Sequence, residues 1–286
     1  MNSITLPAHA KVNLHLSVLG KRPDGYHELV TLFERIDLAD EVQVERASGA
    51  GIELVCNEPG VPSDVANLAV RAALQYREAS GWPGGLRIRL EKRIPVGGGL
   101  GGGSSDAAAV LLALQRLSGG ALPQEHLMEC ARGLGADVAF FAADVPWALG
   151  RDRGDRIEPL PLKVSLWHLL VTPDFPIPTK EVYRAFKLTG PPPDATLLLR
   201  ALERGQIHRI RPLLFNALEP AVEVLYPAIR RVKSDLEEIT GLPKPRVSGS
   251  GSSVFAVCES KEGAESAAEK IRRQRPSWQV YVVSTA

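Results

Sequence analysis

The sequence predicts a two-domain α+β protein, and three observations predict it. At 286 residues the chain has room for two domains of ordinary size. Its first half reads as strands leading to a glycine-dense loop that opens a helix. Its second half reads strand, helices, strand, strand, helix, strand, the order of a split βαβ sandwich. An N-terminal domain is expected over residues 1–160 and a C-terminal domain over residues 161–286.

Thr5 to Leu19 alternates as a strand, with Val12, Leu14, Leu16 and Val18 on one face and Lys11, Asn13 and His15 on the other. Pro23-Asp24-Gly25 is a turn signal, so the chain doubles back into Tyr26 to Ile36. Val42 to Glu45 and Gly51 to Cys56 read as further strands, Asn67 to Glu78 as a helix and Leu86 to Ile94 as a strand. Helices follow at Asp106 to Leu117 and Gln124 to Leu134, with short strands near Trp147 to Leu149 and Arg156. In the second half, strands are expected at Ser165 to Val171 and Gln279 to Ser284. Pro243 to Ser248 and Ser253 to Cys258 read as a hairpin. Helices are expected at Lys180 to Phe186, Ala195 to Glu203, Pro220 to Ile239 and Glu262 to Arg273.

The densest signal is Pro95-Val96-Gly97-Gly98-Gly99-Leu100-Gly101-Gly102-Gly103-Ser104-Ser105, with six glycines in seven residues. So few side chains let a bulky anion approach the backbone closely. Ser104 or Ser105 can cap the helix that follows, and its free N–H groups and positive dipole end would face the anion. This is a polyphosphate cradle. It is not a Walker loop, because Ser104 rather than Lys follows the last glycine. Gly97, Gly99 and Gly102 match the dinucleotide fingerprint, but the parallel strand that should follow the helix is missing, since Gln124 to Leu134 reads as a second helix.

Charged residues make up 23% and apolar residues 44%, the balance of a globular protein. A net charge of +1 gives no bulk attraction to nucleic acid or lipid. No stretch has the apolar length of a membrane helix, and the N-terminus reads as a strand rather than a targeting peptide. Three cysteines without a C-x-x-C pair imply neither a disulfide framework nor a zinc site. A cytoplasmic enzyme with no nucleic-acid or membrane partner is expected.

Four segments line up along the chain: Ala10-Lys11-Val12-Asn13-Leu14 with Asp24-Gly25-Tyr26-His27-Glu28-Leu29; the glycine loop; Leu134-Gly135-Ala136-Asp137-Val138; and Val247-Ser248-Gly249-Ser250-Gly251-Ser252-Ser253. In this order the chain resembles the GHMP kinases over essentially its whole length. The D-G-Y-H-E-L run joined to A-K-V-N-L makes it most similar to the members that act on a cytidyl-diphosphate-linked methylerythritol. The resemblance implies a ribosomal-protein-S5-domain-2-like N-terminal domain and a ferredoxin-like C-terminal one.

It also implies ATP as co-substrate with Mg²⁺, and phosphorylation of the 2-hydroxyl of the erythritol unit in the non-mevalonate isoprenoid pathway. Residues Pro95 to Ser105 would wrap the nucleotide phosphates. Asp137 would accept the hydroxyl proton, with Lys11 beside it. Asn13, Tyr26 and His27 would bind the small-molecule substrate, and Tyr183 would stack on its cytosine. Asp106 would act on the phosphates through Mg²⁺, and Asn67 would reach the adenine. The metal ligands themselves, and the choice between monomer and homodimer, are left open. A mevalonate- or homoserine-type kinase and a dinucleotide-dependent oxidoreductase are the competing functions. On pattern alone Lys11 reads more readily as a solvated strand residue, and Asp137 reads as well as an ordinary N-cap as it does as a catalytic base. Ala139 and Asp152 depart from the family pattern, where Pro and Gly are usual.

Overall fold

The computed structural model describes residues 2–188 and 190–286. Two long strands, β1 (Ser3–Lys21) and β2 (His27–Ala47), form an antiparallel hairpin across the predicted turn, where Gly25 takes a φ of +85°. β2 is continuous through the two pieces the pattern suggested. Register shifts at His9/Ala10, Asn13/His15 and Val18/Gly20 let so long a pair twist without breaking.

Next come β3 (Ile52–Cys56), α1 (Leu68–Ser80), β4 (Gly85–Glu91), α2 (Gly102–Leu117), α3 (Gln124–Leu134), α4 (Ala136–Ala142), β5 (Trp147–Arg151) and β6 (Arg156–Pro159). The first sheet has the order β3-β4-β2-β1, with β5 also on β2 and β6 on β5. Its core packs against the alanine-rich face of α2, where Ala107, Ala108, Val110, Leu111 and Leu114 are buried.

The second half contains β7 (Trp167–Thr172), α5 (Thr179–Ala185), α6 (Thr196–Glu203), α7 (Ile207–Leu213), β8 (Phe215–Asn216), α8 (Glu219–Leu225), α9 (Ala228–Thr240), β9 (Arg246–Val247), β10 (Val254–Cys258), α10 (Lys261–Gln274) and β11 (Gln279–Ser284). Its four-stranded antiparallel sheet has the order β11-β7-β10-β9. Numbered within that half it runs 4-1-3-2, with α5 to α9 and the short β8 between strands 1 and 2 and α10 between 3 and 4. The single helix expected over Pro220 to Ile239 is two. Tyr226 precedes Pro227, and proline's ring drives the residue before it out of the helical region.

β8 crosses back and pairs in parallel with β1 at His15 and Leu16. A core cluster containing Val12, Leu14, Leu32, Leu170, Phe255 and Val283 joins the two halves. β1 is therefore covered on both faces. Lys11, Asn13 and His15, expected to face outward, are all buried.

Candidate active site

The glycine loop is pinned from both sides. Lys11 donates its backbone N–H to Leu100 O at 3.0 Å, and Ser253 donates to Gly98 O at 3.0 Å. The helix after it starts at Gly102, four residues earlier than predicted, with Gly101 at φ +75° as N-cap and no side-chain cap. Ser104 and Ser105 thus lie inside the first turn and do not cap it. Ser105 donates its N–H to Gly101 O at 2.9 Å, whereas the N–H groups before it have no carbonyl within the helix. Those donors mark an anion site.

The glycines serve two needs. A Cβ at Gly99 would come within 2.4 Å of Ser248 O, and one at Gly101 within 2.9 Å of Phe141 Cε2. Both positions are set by packing and by a left-handed backbone. Gly103 differs: nothing lies within 4 Å of where its Cβ would be. It faces open space.

One cavity of about 1150 Å³ runs along this loop. That is at or above the size of a pocket for a single small ligand. Pro95 to Ser104 all line it, while Ser105 lies buried behind them. Lys11, Asn13, Tyr26, His27, Asp137 and Tyr183 line it too.

Lys11 Nζ lies 3.7 Å from Asp137 Oδ2. The ammonium also donates to Asn13 Oδ1 at 2.6 Å and Gly99 O at 3.0 Å. Asn13 in turn donates to Thr31 Oγ1, which donates to His15 O. Asp137 sits in the first turn of α4 and its side chain makes no cap. Ala139, where proline is usual, donates its N–H to Gly135 O at 3.3 Å, so the turn is closed by a bond proline could not make.

On the wall of the same cavity the His27 ring lies 5.3 Å from that of Tyr183 and 6.0 Å, edge-on, from that of Phe186. Burial first, and Lys21 second, hold the His27 imidazole below its ordinary value, so the neutral ring prevails at neutral pH. A neutral imidazole has one donor and one acceptor. Burial first, then Asp137, pushes the Tyr183 hydroxyl upward. Phe186 joins the site beyond the residues the sequence points to; its i, i+3 spacing from Tyr183 is the signal that marks it.

Beneath the loop, Lys92 bridges two buried carboxylates, Asp40 and Asp106. Burial raises Asp106 to about 7 despite the lysine. Of this cluster only Asp106 stands out in the sequence, because Asp40 on β2 and Lys92 just beyond β4 lie far from it along the chain. Asn67 lines the cavity, but its side chain is engaged as the cap of α1 and with Pro62 O.

No group of three or more His, Cys, Asp or Glu side chains gathers as a metal centre among the described residues. The cavity's two carboxylates, Asp106 and Asp137, nevertheless fit Mg²⁺, which typically takes one or two carboxylates alongside phosphates and water. Asp106 Oδ1 is buried with no hydrogen-bond partner.

Residues 67–144 match the family described as GHMP kinases N terminal domain, and residues 198–276 that described as GHMP kinases C terminal. Fold and cradle together define a small-molecule kinase of the GHMP class. Over 285 residues the chain is 42% identical to 4-diphosphocytidyl-2-C-methyl-D-erythritol kinase of Citrifermentans bemidjiense, covering 100% of both chains. It is 42% identical over 272 residues to the kinase of the same name from Pelotomaculum thermopropionicum, covering 94% of each. A crystal structure of 4-(cytidine 5'-diphospho)-2C-methyl-D-erythritol kinase matches with a TM-score of 0.83 at 42% identity, covering 98% of each chain. A homoserine kinase from Cytophaga hutchinsonii, at 21% identity and a TM-score of 0.75, covering 100% of this chain and 95% of its own, shares the fold alone. The chain belongs to the 4-diphosphocytidyl-2-C-methyl-D-erythritol kinase family. No helix among the described residues is long and apolar enough to cross a membrane.

Proposed function

We propose that the chain transfers the γ-phosphoryl group of ATP to the 2-hydroxyl of 4-diphosphocytidyl-2-C-methyl-D-erythritol, the kinase step its family performs in non-mevalonate isoprenoid synthesis. The observation that carries the reading is the Lys11–Asp137 pair, 3.7 Å apart on the wall of the cavity that the glycine loop lines. A phosphoryl transfer has a loose transition state, so the protein's work is to position reactants and stabilise charge. The N–H groups of Gly102, Gly103 and Ser104 hold the phosphates. Asp137 takes the proton of the attacking hydroxyl as its oxygen bonds to phosphorus and ADP departs. Lys11, anchored by Asn13, orients that hydroxyl. Tyr26, His27 and Tyr183 bind the cytosine.

Asp106, with the nucleotide's own phosphates, would hold Mg²⁺, which supplies neutralisation of charge on the phosphate oxygens. The oxidoreductase alternative lacks its second parallel strand: α2 is followed by α3 and α4, and the next strand, β5, pairs antiparallel with β2. We also divide the chain at 160/161, since β6 ends at Pro159 and the second sheet starts at Trp167. The enzyme works in the cytoplasm on a small molecule, as a monomer or homodimer, without nucleic acid or membrane.

The test is an ATP phosphotransfer assay on the cytidyl diphosphate erythritol, run beside mevalonate and homoserine. Product from the first substrate alone is expected. Faster turnover of mevalonate or homoserine would overturn the assignment.

A further inference from the structure

Tyr26 poses a physical problem. It is 58% exposed, follows a left-handed glycine in a hairpin turn, and must offer its ring to a planar base. A free aromatic side chain in such a place loses rotamer freedom on binding, which lowers affinity. Arg153 lies against it, with its guanidinium carbon 5.1 Å from the ring centroid.

That guanidinium is itself held. Nε donates to Asp155 Oδ2 at 3.0 Å, Nη2 donates to the same oxygen, and the Arg153 backbone N–H donates to Asp155 Oδ1. Asp155 is buried. The turn carrying both is equally constrained. Asp152 takes a φ of +62°, the left-handed conformation that asparagine and aspartate tolerate better than most residues, and Gly154 follows at +88°. Asp152 O accepts the Leu29 N–H at 2.6 Å, which ties the turn to the start of β2, three residues from Tyr26. The Asp152 departure from the family pattern thus occupies a glycine-like backbone position. Lys21, Lys180 and Arg184 also line the cavity, but none has a carboxylate partner among the described residues. Arg153 alone of these is tethered and set over the aromatic ring.

Resting on the reading that Tyr26 and His27 hold the cytosine, we infer that Arg153 is a positioning residue of the base pocket. Tethered by Asp155, it braces the Tyr26 ring through a cation–π contact, so that the ring meets the base already oriented.

The experiment measures cytidine, CDP and ATP affinities by calorimetry for the wild type, Arg153→Ala, Asp155→Asn, Tyr26→Leu and the Arg153→Ala/Tyr26→Leu double variant. Arg153→Ala is expected to weaken cytidine and CDP alike by about 3- to 10-fold, leaving ATP unchanged. Asp155→Asn should shift both in the same direction by less. In the Tyr26→Leu background, Arg153→Ala should have no further effect. An undiminished effect in that background, a loss confined to CDP, or unchanged or tighter cytidine binding would each overturn the bracing role. Failure of the wild type to bind cytidine or CDP would instead sink the base-pocket reading, and the inference with it.

Discussion

Lys11 stands 3.7 Å from Asp137, yet its shorter bonds run to Asn13 Oδ1 at 2.6 Å and Gly99 O at 3.0 Å. The lysine is therefore placed by the strand and the loop, and the carboxylate, about one-third exposed, remains open to the cavity. Asp137→Asn is expected to lower kcat by about 10²- to 10⁴-fold while ATP still binds in a titration. Asn13→Ala, which releases the lysine, should cost up to about 10²-fold in kcat. Full turnover in the Asp137 variant would remove the base assignment.

Gly103 and Gly101 separate phosphate approach from packing. Alanine at Gly103 meets open space in the free protein, so Tm should not fall, but the ATP KM should rise because the methyl lies where phosphate would come. Alanine at Gly101 is expected to lower Tm, since its Cβ meets Phe141 at a left-handed position. An unchanged ATP KM in Gly103→Ala would mean that the open face of the loop holds no phosphate.

His27 provides a pH test. Its imidazole is held below the ordinary value by burial and then by Lys21, so the KM for the cytidyl substrate should stay flat through neutral pH and rise only in acid. Removing the nearby cation raises the imidazole's proton affinity. Lys21→Met should therefore move the onset of that rise to higher pH, and a shift to lower pH would contradict the pairing.

His15 should govern acid stability. Burial lowers its folded value to about 4 from the ordinary 6.5. Between those values the unfolded chain binds a proton that the folded chain does not. Stability is thus fully present above 6.5 and declines as pH falls toward 4, by up to about 3 kcal/mol. In urea titrations at pH 7 and pH 4.5, His15→Gln should lose less stability between the two than the wild type does. Equal losses would show that another group dominates.

Much of this was legible locally. The glycine run, the D-G-Y-H-E-L turn and the chain order of strands and helices in the second half depend on composition and periodicity, which a chain carries along its length, whereas the 4-1-3-2 strand order is set by tertiary pairing. The misreadings have local physical causes as well. Glycine is a weak helix former, so the sequence predicts α2 from Asp106, whereas Gly101 supplies a left-handed entry and the helix begins at Gly102. Pro227 broke a helix whose apolar spacing continued across it.

The sequence by itself determined which chemistry-bearing residues the chain has and which elements carry them: Lys11 and Asn13 on a strand, a glycine run leading into a helix, Asp137 at a helix start. Only the tertiary structure decided that Lys11 is buried rather than solvated, that Lys92 bridges Asp40 to Asp106, and that Arg153 meets Tyr26. Periodicity reports one face of one element. Whether the opposite face is covered depends on a partner far along the chain, and here β8 and the loop at 248–251 close over a strand that began more than two hundred residues earlier.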